Sequence, residues 1–200
     1  MVAPQVELHN TVMNIFVALG ANLPSTAGSP RRTLQAALRE IDSGFTQLEA
    51  LSDCYQTPCF PDGAGPDYVN AVAKVNSRLS ANSLMARLHE IESRYGRTRD
   101  ERWGARGIDL DLLAYDDSIL PDRATFEHWS GLSPDLQAQA APDRLVLPHP
   151  RIQDRGFVLV PMHDIAPDWQ HPVLGRSVAR MLSDLGPQGR AGITPIGWTD

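Results

Sequence analysis

Asp109 and Asp111 stand two residues apart inside the apolar run Ile108–Leu113, IDLDLL. A short run rich in Ile and Leu reads as a strand, and on a strand residues two apart point to one face. The chain must therefore fold so that Ile108, Leu110 and Leu112 enter a core while both carboxylates project together on the other side. Paired carboxylates repel, and each raises the other's proton affinity unless a cation sits with them. A hard divalent ion meets that need, and Mg²⁺ is typically held by one or two carboxylates plus substrate phosphates.

Immediately upstream, Glu92–Gly107 (ESRYGRTRDERWGARG) carries Arg94, Arg97, Arg99, Arg102 and Arg106 with the lone Trp103. Planar guanidinium groups grip phosphate oxygens in bidentate fashion. Gly96, Gly104 and Gly107 give that loop freedom to move. A cationic loop feeding into paired carboxylates points to a site for a polyphosphate bound with metal. Glu92, just before the loop, has two readings: a ligand contact, or a partner for a nearby arginine. No G-x-x-x-x-G-K-[ST] motif is present, which argues against a P-loop kinase.

The rest of the composition narrows the class. Two hundred residues suit one domain with a real core, and the net charge of −6 argues against a general nucleic-acid binder. Positive charge is concentrated locally instead, which fits a small anionic ligand. The two cysteines, Cys54 and Cys59, are too few for a disulfide framework and have no zinc spacing, so free thiols in a cytoplasmic protein are expected. The first residues have no signal-peptide pattern, and no apolar run approaches membrane-span length, so no membrane partner is expected.

In chain order, 1–13 reads as a loose extension and 14–20 (NIFVALG) as a buried strand running into a Gly-Ala-Asn turn suited to close approach of backbone to a ligand. Ser29-Pro30 is an N-cap followed by a first-turn proline, opening a helix that places Leu34, Ala37, Leu38 and Ile41 on one stripe and ends near Ser43-Gly44. Residues 45–57 read as a second strand, and 57–67 (TPCFPDGAGPD) as a loop. Tyr68–Ser77 is a third strand with Val69, Ala71, Ala73 and Val75 on one face and Tyr68, Asn70 and Val72 on the other. A tyrosine and an asparagine sharing a face suit a flat heterocycle, one by stacking and one by hydrogen bonds. Ser80 caps a helix to about Tyr95, and Ile108–Tyr115 is the fourth strand.

Residues 116–143 form a long polar segment, expected to be a solvated insertion, with a lid or partner surface as the alternative, and to carry a short helix in its Ala/Gln-rich part. A short strand-like run follows at 144–150, then a helical or mixed stretch at 154–163 and a final helix at 177–185. Residues 187–200 read as a flexible tail. The order βαββαβ gives the expected fold: α+β, a ferredoxin-like core in which helices back one face of an antiparallel sheet, with C-terminal additions. A single domain spanning 1–200, with its core over about 14–185, is expected, and the open face of the sheet is expected to hold the site.

The stretches FVALGANL (16–23), YQTP (55–58), DYVNAV (67–72), IESRYGRTRDERWGARGIDLDLL (91–113) and LPHPRIQDRGFVLVPMHDIAP (147–167) resemble, in order, those of the 6-hydroxymethyl-7,8-dihydropterin pyrophosphokinases of folate biosynthesis. The resemblance implies transfer of an intact pyrophosphoryl group from ATP to the hydroxymethyl oxygen of the pterin, with release of AMP and use of two Mg²⁺ ions. It implies Asp109 and Asp111 as metal ligands, with Arg97, Arg106 and Asp111 as catalytic residues. Glu92, Arg99, Arg102, Trp103, Arg106, Arg144, His149 and Arg155 resemble the ATP contacts. Thr57, Pro58, Phe60, Tyr68, Asn70 and Phe157 resemble the pterin pocket, where two aromatic rings sandwich the pterin. Val146 departs from relatives that carry a Thr there. The implied protein is a cytoplasmic monomer acting on small molecules. Two alternatives stay open: a ferredoxin-like module that reads RNA with exposed aromatics, and a relative acting on another hydroxymethyl heterocycle.

Overall fold

The structure, a computed structural model, describes residues 13–59, 65–95, 107–133, 136 and 139–199. Its elements are β1 (Ile15–Ala21), α1 (Pro30–Ile41), β2 (Thr46–Leu51), β3 (Tyr55–Thr57), β4 (Tyr68–Ser77), α2 (Ala81–Arg94), β5 (Asp109–Tyr115), α3 (Arg123–Ser130), α4 (Gly156–Ile165), α5 (Val178–Asp184) and β6 (Thr194–Pro195). The strands form one antiparallel sheet in the order β5-β1-β4-β3-β6, and β2 pairs with β4 beside β3. This is the ferredoxin-like order with an added edge strand.

Local chemistry starts the helices where expected. The Ser29 hydroxyl accepts from the Arg32 amide with Pro30 at the first position of α1, and the Ser80 hydroxyl accepts from the Ser83 amide at the start of α2. The buried stripes of α1 (Leu34, Ala37, Leu38, Ile41) and α2 (Leu84, Leu88, Ile91) pack on one face of the sheet, against Val17, Leu19, Ala73, Val75, Leu110 and Leu112. Each fully buried side chain of this size contributes about 1.5–3 kcal/mol.

The second face is not open along its length. Phe16, Val72, Leu113 and Ala114 form a second core with Val158, Leu159 and Met162 of α4, Val178 and Met181 of α5, and Trp169. Phe16 and Trp169 meet edge to face, ring centroids 5.6 Å apart. A bulge, where the β1–β5 register shifts between Phe16 and Val17, lets Leu113 join this second core although Leu112 faces the first. The C-terminal additions thus close the middle of the face expected to hold the site and leave its end for ligands.

Three further expectations need correction. The strand expected over 45–57 is two strands, because the Ser52 hydroxyl takes the Val72 amide and the Asp53 carboxylate takes the Cys54 amide, which ends β2. The 116–143 segment is more than a solvated insertion: it holds a helix over Arg123–Ser130, capped by Asp122, ahead of the Ala/Gln-rich part, where the described residues Leu136 and Gln139 are helical as expected. That helix is anchored, since Phe126 is 1 % exposed and its ring lies 5.3 Å from His171. Finally, 187–200 is no loose tail up to residue 199: β6 adds to the edge of β3, and the Trp198 indole donates to the Ser52 carbonyl at 2.8 Å.

Candidate active site

Register places the candidate residues in one row across the sheet. Gly20 of β1 pairs with Asp109 of β5 on one side and with Asn70 of β4 on the other, and Asn70 pairs with Tyr55 of β3. Paired residues share a face, so the carboxylate strand and the Asn70 amide look out on the same side, two strand spacings or about 10 Å apart. Asp111 stands one step further along β5, opposite Ala18. Both aspartates are only partly covered, while Leu110 between them is buried, as the alternation required.

Gly20 occupies the middle of this row. A Cβ there would lie 2.9 Å from the Asn70 side-chain oxygen, so only glycine leaves Asn70 where it is. The close approach expected at the Gly-Ala-Asn turn is therefore made by a protein side chain. Asn70 is buried and donates to the Thr57 hydroxyl at 2.7 Å, which fixes the amide's orientation. Pro58 is exposed beside Thr57, and Tyr68 is half-buried at the start of β4, paired with Thr57. Asn22, also buried, donates to the Pro66 carbonyl at 3.2 Å and ties the end of β1 to the far side of the 57–67 loop.

The start of α4 joins the two halves. Arg155 caps it, with Nη1 3.6 Å from Asp111 Oδ2 and Cζ 5.6 Å from the centre of the Phe157 ring. Phe157 is 40 % exposed, unusual for a large apolar ring and suited to stacking. The far end of α4 is pinned to β3: the Tyr55 hydroxyl donates to Asp164 Oδ2 at 2.8 Å, and the Asp53 amide donates to the same oxygen at 3.2 Å. Burial and then this carboxylate raise the Tyr55 phenol well above its ordinary pKa, so it stays a donor.

His149 lies against β5, its amide donating to the Leu113 carbonyl at 2.7 Å. Burial, reinforced by the Arg155 charge and opposed by Asp109, pushes its imidazole down to about 3. The neutral ring accepts the Arg151 amide on Nδ1 at 3.1 Å and so carries its proton on Nε2, available to an acceptor such as a phosphate oxygen. Glu92 is 1 % exposed on α2 and accepts the Leu110 amide at 2.8 Å. That bond holds α2 to the strand that carries the aspartates. Arg144 is not brought to this cluster; it is exposed and paired with Asp143 at 3.2 Å. Arg97, Arg99, Arg102, Trp103, Arg106 and Phe60 lie outside the described residues.

Among the described residues no group of three or more His, Cys, Asp or Glu side chains could enclose a metal ion. Two adjacent carboxylates at an exposed strand end fit a Mg²⁺ that completes its shell with water and phosphate oxygens, rather than an all-protein cage. The sequence reasoning missed Gly20 as a spacer, the Tyr55–Asp164 bond and the C-terminal strand. Gly20 and Tyr55 both lie inside the stretches that carried the resemblance.

Comparison with known proteins agrees with this arrangement. The model of the family 7,8-dihydro-6-hydroxymethylpterin-pyrophosphokinase (HPPK) matches residues 16–167. The 2-amino-4-hydroxy-6-hydroxymethyldihydropteridine pyrophosphokinase of Pseudomonas aeruginosa is 35 % identical over 173 residues, 86 % of this chain and 91 % of its own. The enzyme of that name from Haemophilus influenzae is 35 % identical over 158 residues, 78 % of this chain and 84 % of its own. The fold is similar to that of Plasmodium falciparum HPPK-DHPS with SDX-DHP, at a TM-score of 0.63 and 13 % identity over 92 % of this chain. This chain spans about half that protein's length, covering 47 % of it. With a match running through the strand row, the Asp-x-Asp strand and the first helix of the second face, the chain belongs to the 7,8-dihydro-6-hydroxymethylpterin-pyrophosphokinase family.

Proposed function

We propose that the protein transfers pyrophosphate from ATP to 6-hydroxymethyl-7,8-dihydropterin, giving AMP and the pterin methyl diphosphate in folate biosynthesis. The observation that carries this reading is the strand row. Asp109 and Asn70 flank Gly20 on one face, so a metal-bound triphosphate and a flat heterocycle fit side by side with nothing larger than glycine between them. The hydroxymethyl oxygen of the acceptor forms a bond to the β-phosphorus, the bond from that phosphorus to the α,β-bridging oxygen breaks, and AMP departs with that oxygen. The hydroxyl proton passes to Asp111 or to water.

The roles follow from position. Asp109 and Asp111 would hold the two Mg²⁺ ions, which would supply charge neutralisation and orientation of the triphosphate. His149 donates to a phosphate oxygen from Nε2, and Arg155, beside Asp111, is within reach to pair with a phosphate. Arg97, Arg99, Arg102, Trp103, Arg106 and Arg144 complete the nucleotide contacts, with Arg97 and Arg106 catalytic, as the sequence pattern implies. Tyr68, Phe157 and Phe60 supply the stacking surface, while Asn70, with Thr57 and Pro58, reads the pterin edge. Glu92 serves the site by fixing β5. No helix of the described residues is long and apolar enough to cross a membrane, and the acidic net charge of −6 disfavours nucleic acid. A cytoplasmic monomer working on small molecules completes the reading, with sedimentation as the check on its state.

The test is product analysis by mass spectrometry with Mg-ATP, with and without the pterin. AMP and the pterin diphosphate must form together and only when the acceptor is present. ADP with a pterin monophosphate would overturn the assignment of the attacked phosphorus, and turnover confined to a different hydroxymethyl heterocycle would overturn the acceptor.

A further inference from the structure

The C-terminal segment beyond α5 holds the acceptor side of the site from outside, although the family match ends at residue 167. We propose that residues 186–199 form a strap that positions Pro58 and the start of α4, and that this strap sets affinity for the acceptor without touching the nucleotide half. The proposal rests on the acceptor pocket assigned above.

Four contacts carry it. Gly189 lies under the start of α4: a Cβ on Gly156, between Arg155 and Phe157, would meet the Gly189 carbonyl oxygen at 1.9 Å. Backbone is thus packed on backbone directly behind Phe157. Gly192, at φ +73°, packs on Pro58, and a Cβ there would lie 2.6 Å from Pro58 Cγ. Next, β6 extends the sheet along β3, with Gln56 opposite Thr194 and Tyr55 opposite Pro195, and the Ile196 amide donates to the Cys54 carbonyl at 2.8 Å. That pairing stiffens the short strand from which Thr57 and Pro58 follow. Last, the strap is fastened beyond the sheet edge. The Trp198 indole donates to the Ser52 carbonyl at 2.8 Å, Gln35 of α1 donates to the Trp198 carbonyl at 2.7 Å, and Arg31 donates to the Thr199 carbonyl.

The sheet order explains why the effect is one-sided. Two strands, β4 and β1, separate β3 from β5, so the strap lies at the edge opposite Asp109 and Asp111. A three-residue β3 has few ladder bonds of its own, and Pro58 follows it in an exposed position. The strap supplies the order that this wall lacks, which is preorganisation for a rigid, flat ligand. Gly192 is a positioning residue here, since any side chain at its positive φ is disfavoured and would displace Pro58.

The test is titration calorimetry on the full-length chain. Affinity is measured for 6-hydroxymethylpterin in the presence of Mg²⁺ and α,β-methylene-ATP, and separately for the nucleotide analogue. Gly192→Val should weaken pterin binding about tenfold or more while nucleotide affinity stays within about twofold. Truncation after Gly186, with retained fold checked by thermal melting, should do the same more strongly. Trp198→Phe, which keeps a ring but loses the bond to Ser52, should fall between Gly192→Val and the wild type. Unchanged pterin affinity in Gly192→Val, or equal loss of both affinities, would overturn the strap. Wild-type protein without pterin-dependent AMP formation would overturn the pocket reading, and the strap with it.

Discussion

At the β5 edge of the sheet, two carboxylates stand at a partly open strand end, and Arg155 lies 3.6 Å from Asp111. At the β3–β6 edge the side chains are mostly neutral and already satisfied: Asn70 bonds Thr57, Tyr55 bonds Asp164, and Gly192 packs on Pro58. In the proposed function the first edge takes a partner that brings its own charge and ions. The second takes a flat ligand with a fixed hydrogen-bonding edge, for which its neutral side chains are ordered in advance. In that proposal one sheet serves two chemically unlike substrates because the strand row puts Asp109 and Asn70 on one face with only Gly20 between them.

The largest expected effect breaks the first edge alone. Asp111→Ala should lower turnover by about 10³-fold, in line with the loss of a charge-stabilising group in a transition state. Circular dichroism and pterin affinity should be nearly unchanged. Loss of pterin affinity to the same extent would mean that the edges are not separable. Next, Asn70→Ala should raise the KM for the pterin by about 10–100-fold, the scale of one or two lost hydrogen bonds in a desolvated pocket, and leave the KM for ATP alone. Steady-state kinetics with each substrate varied in turn would decide it.

Glu92 sharpens the comparison by asking whether the nucleotide edge is held or merely exposed. Glu92→Ala leaves the Leu110 amide buried without its acceptor, so denaturant unfolding should show a loss of about 1–3 kcal/mol. Glu92→Gln, which keeps a carbonyl acceptor, should lose less. The smallest effect lies away from both edges, at His171 against Phe126 and Trp169. His171 is 0 % exposed, accepts the Val173 and Leu174 amides on Nδ1, and is pushed by burial down to about 4. A histidine kept neutral in the fold contributes stability that is complete above its unfolded pKa near 6.5 and is lost as pH falls toward the folded value. Unfolding free energy should therefore drop by about 1 kcal/mol between pH 7 and pH 5.5 from this group alone. A flat profile would show that the imidazole is not held neutral.

The two edges also differed in how well they could be read from the chain. The β5 edge was legible because period-two alternation fixes where Asp109 and Asp111 point whatever the surroundings. The same logic gave all of β4, and capping signals gave the starts of α1 and α2. The break between β2 and β3 was hidden because it depends on Ser52 meeting the Val72 amide, a contact between residues twenty apart. The docked C-terminal strap was hidden for a related reason. The segment 186–199 is rich in Gly and Pro and has no periodicity, and its order comes from Pro58, Ser52, Gln35 and Arg31, none of them near in sequence. Likewise the anchoring of the 116–143 segment was hidden because Phe126 packs on His171, far away in sequence. Glu92 was legible as important but not in its role, since only the fold brings Leu110 to it.

A crystal structure with Mg²⁺, α,β-methylene-ATP and 6-hydroxymethylpterin tests most directly the claim that one strand row seats both substrates. The account predicts the pterin stacked on Tyr68 and Phe157 and bonded to Asn70, with metal ions on Asp109 and Asp111. The hydroxymethyl oxygen should lie over Gly20, in line with the β-phosphorus. A pterin bound away from Asn70, or a triphosphate whose metal ions avoid both aspartates, would contradict it.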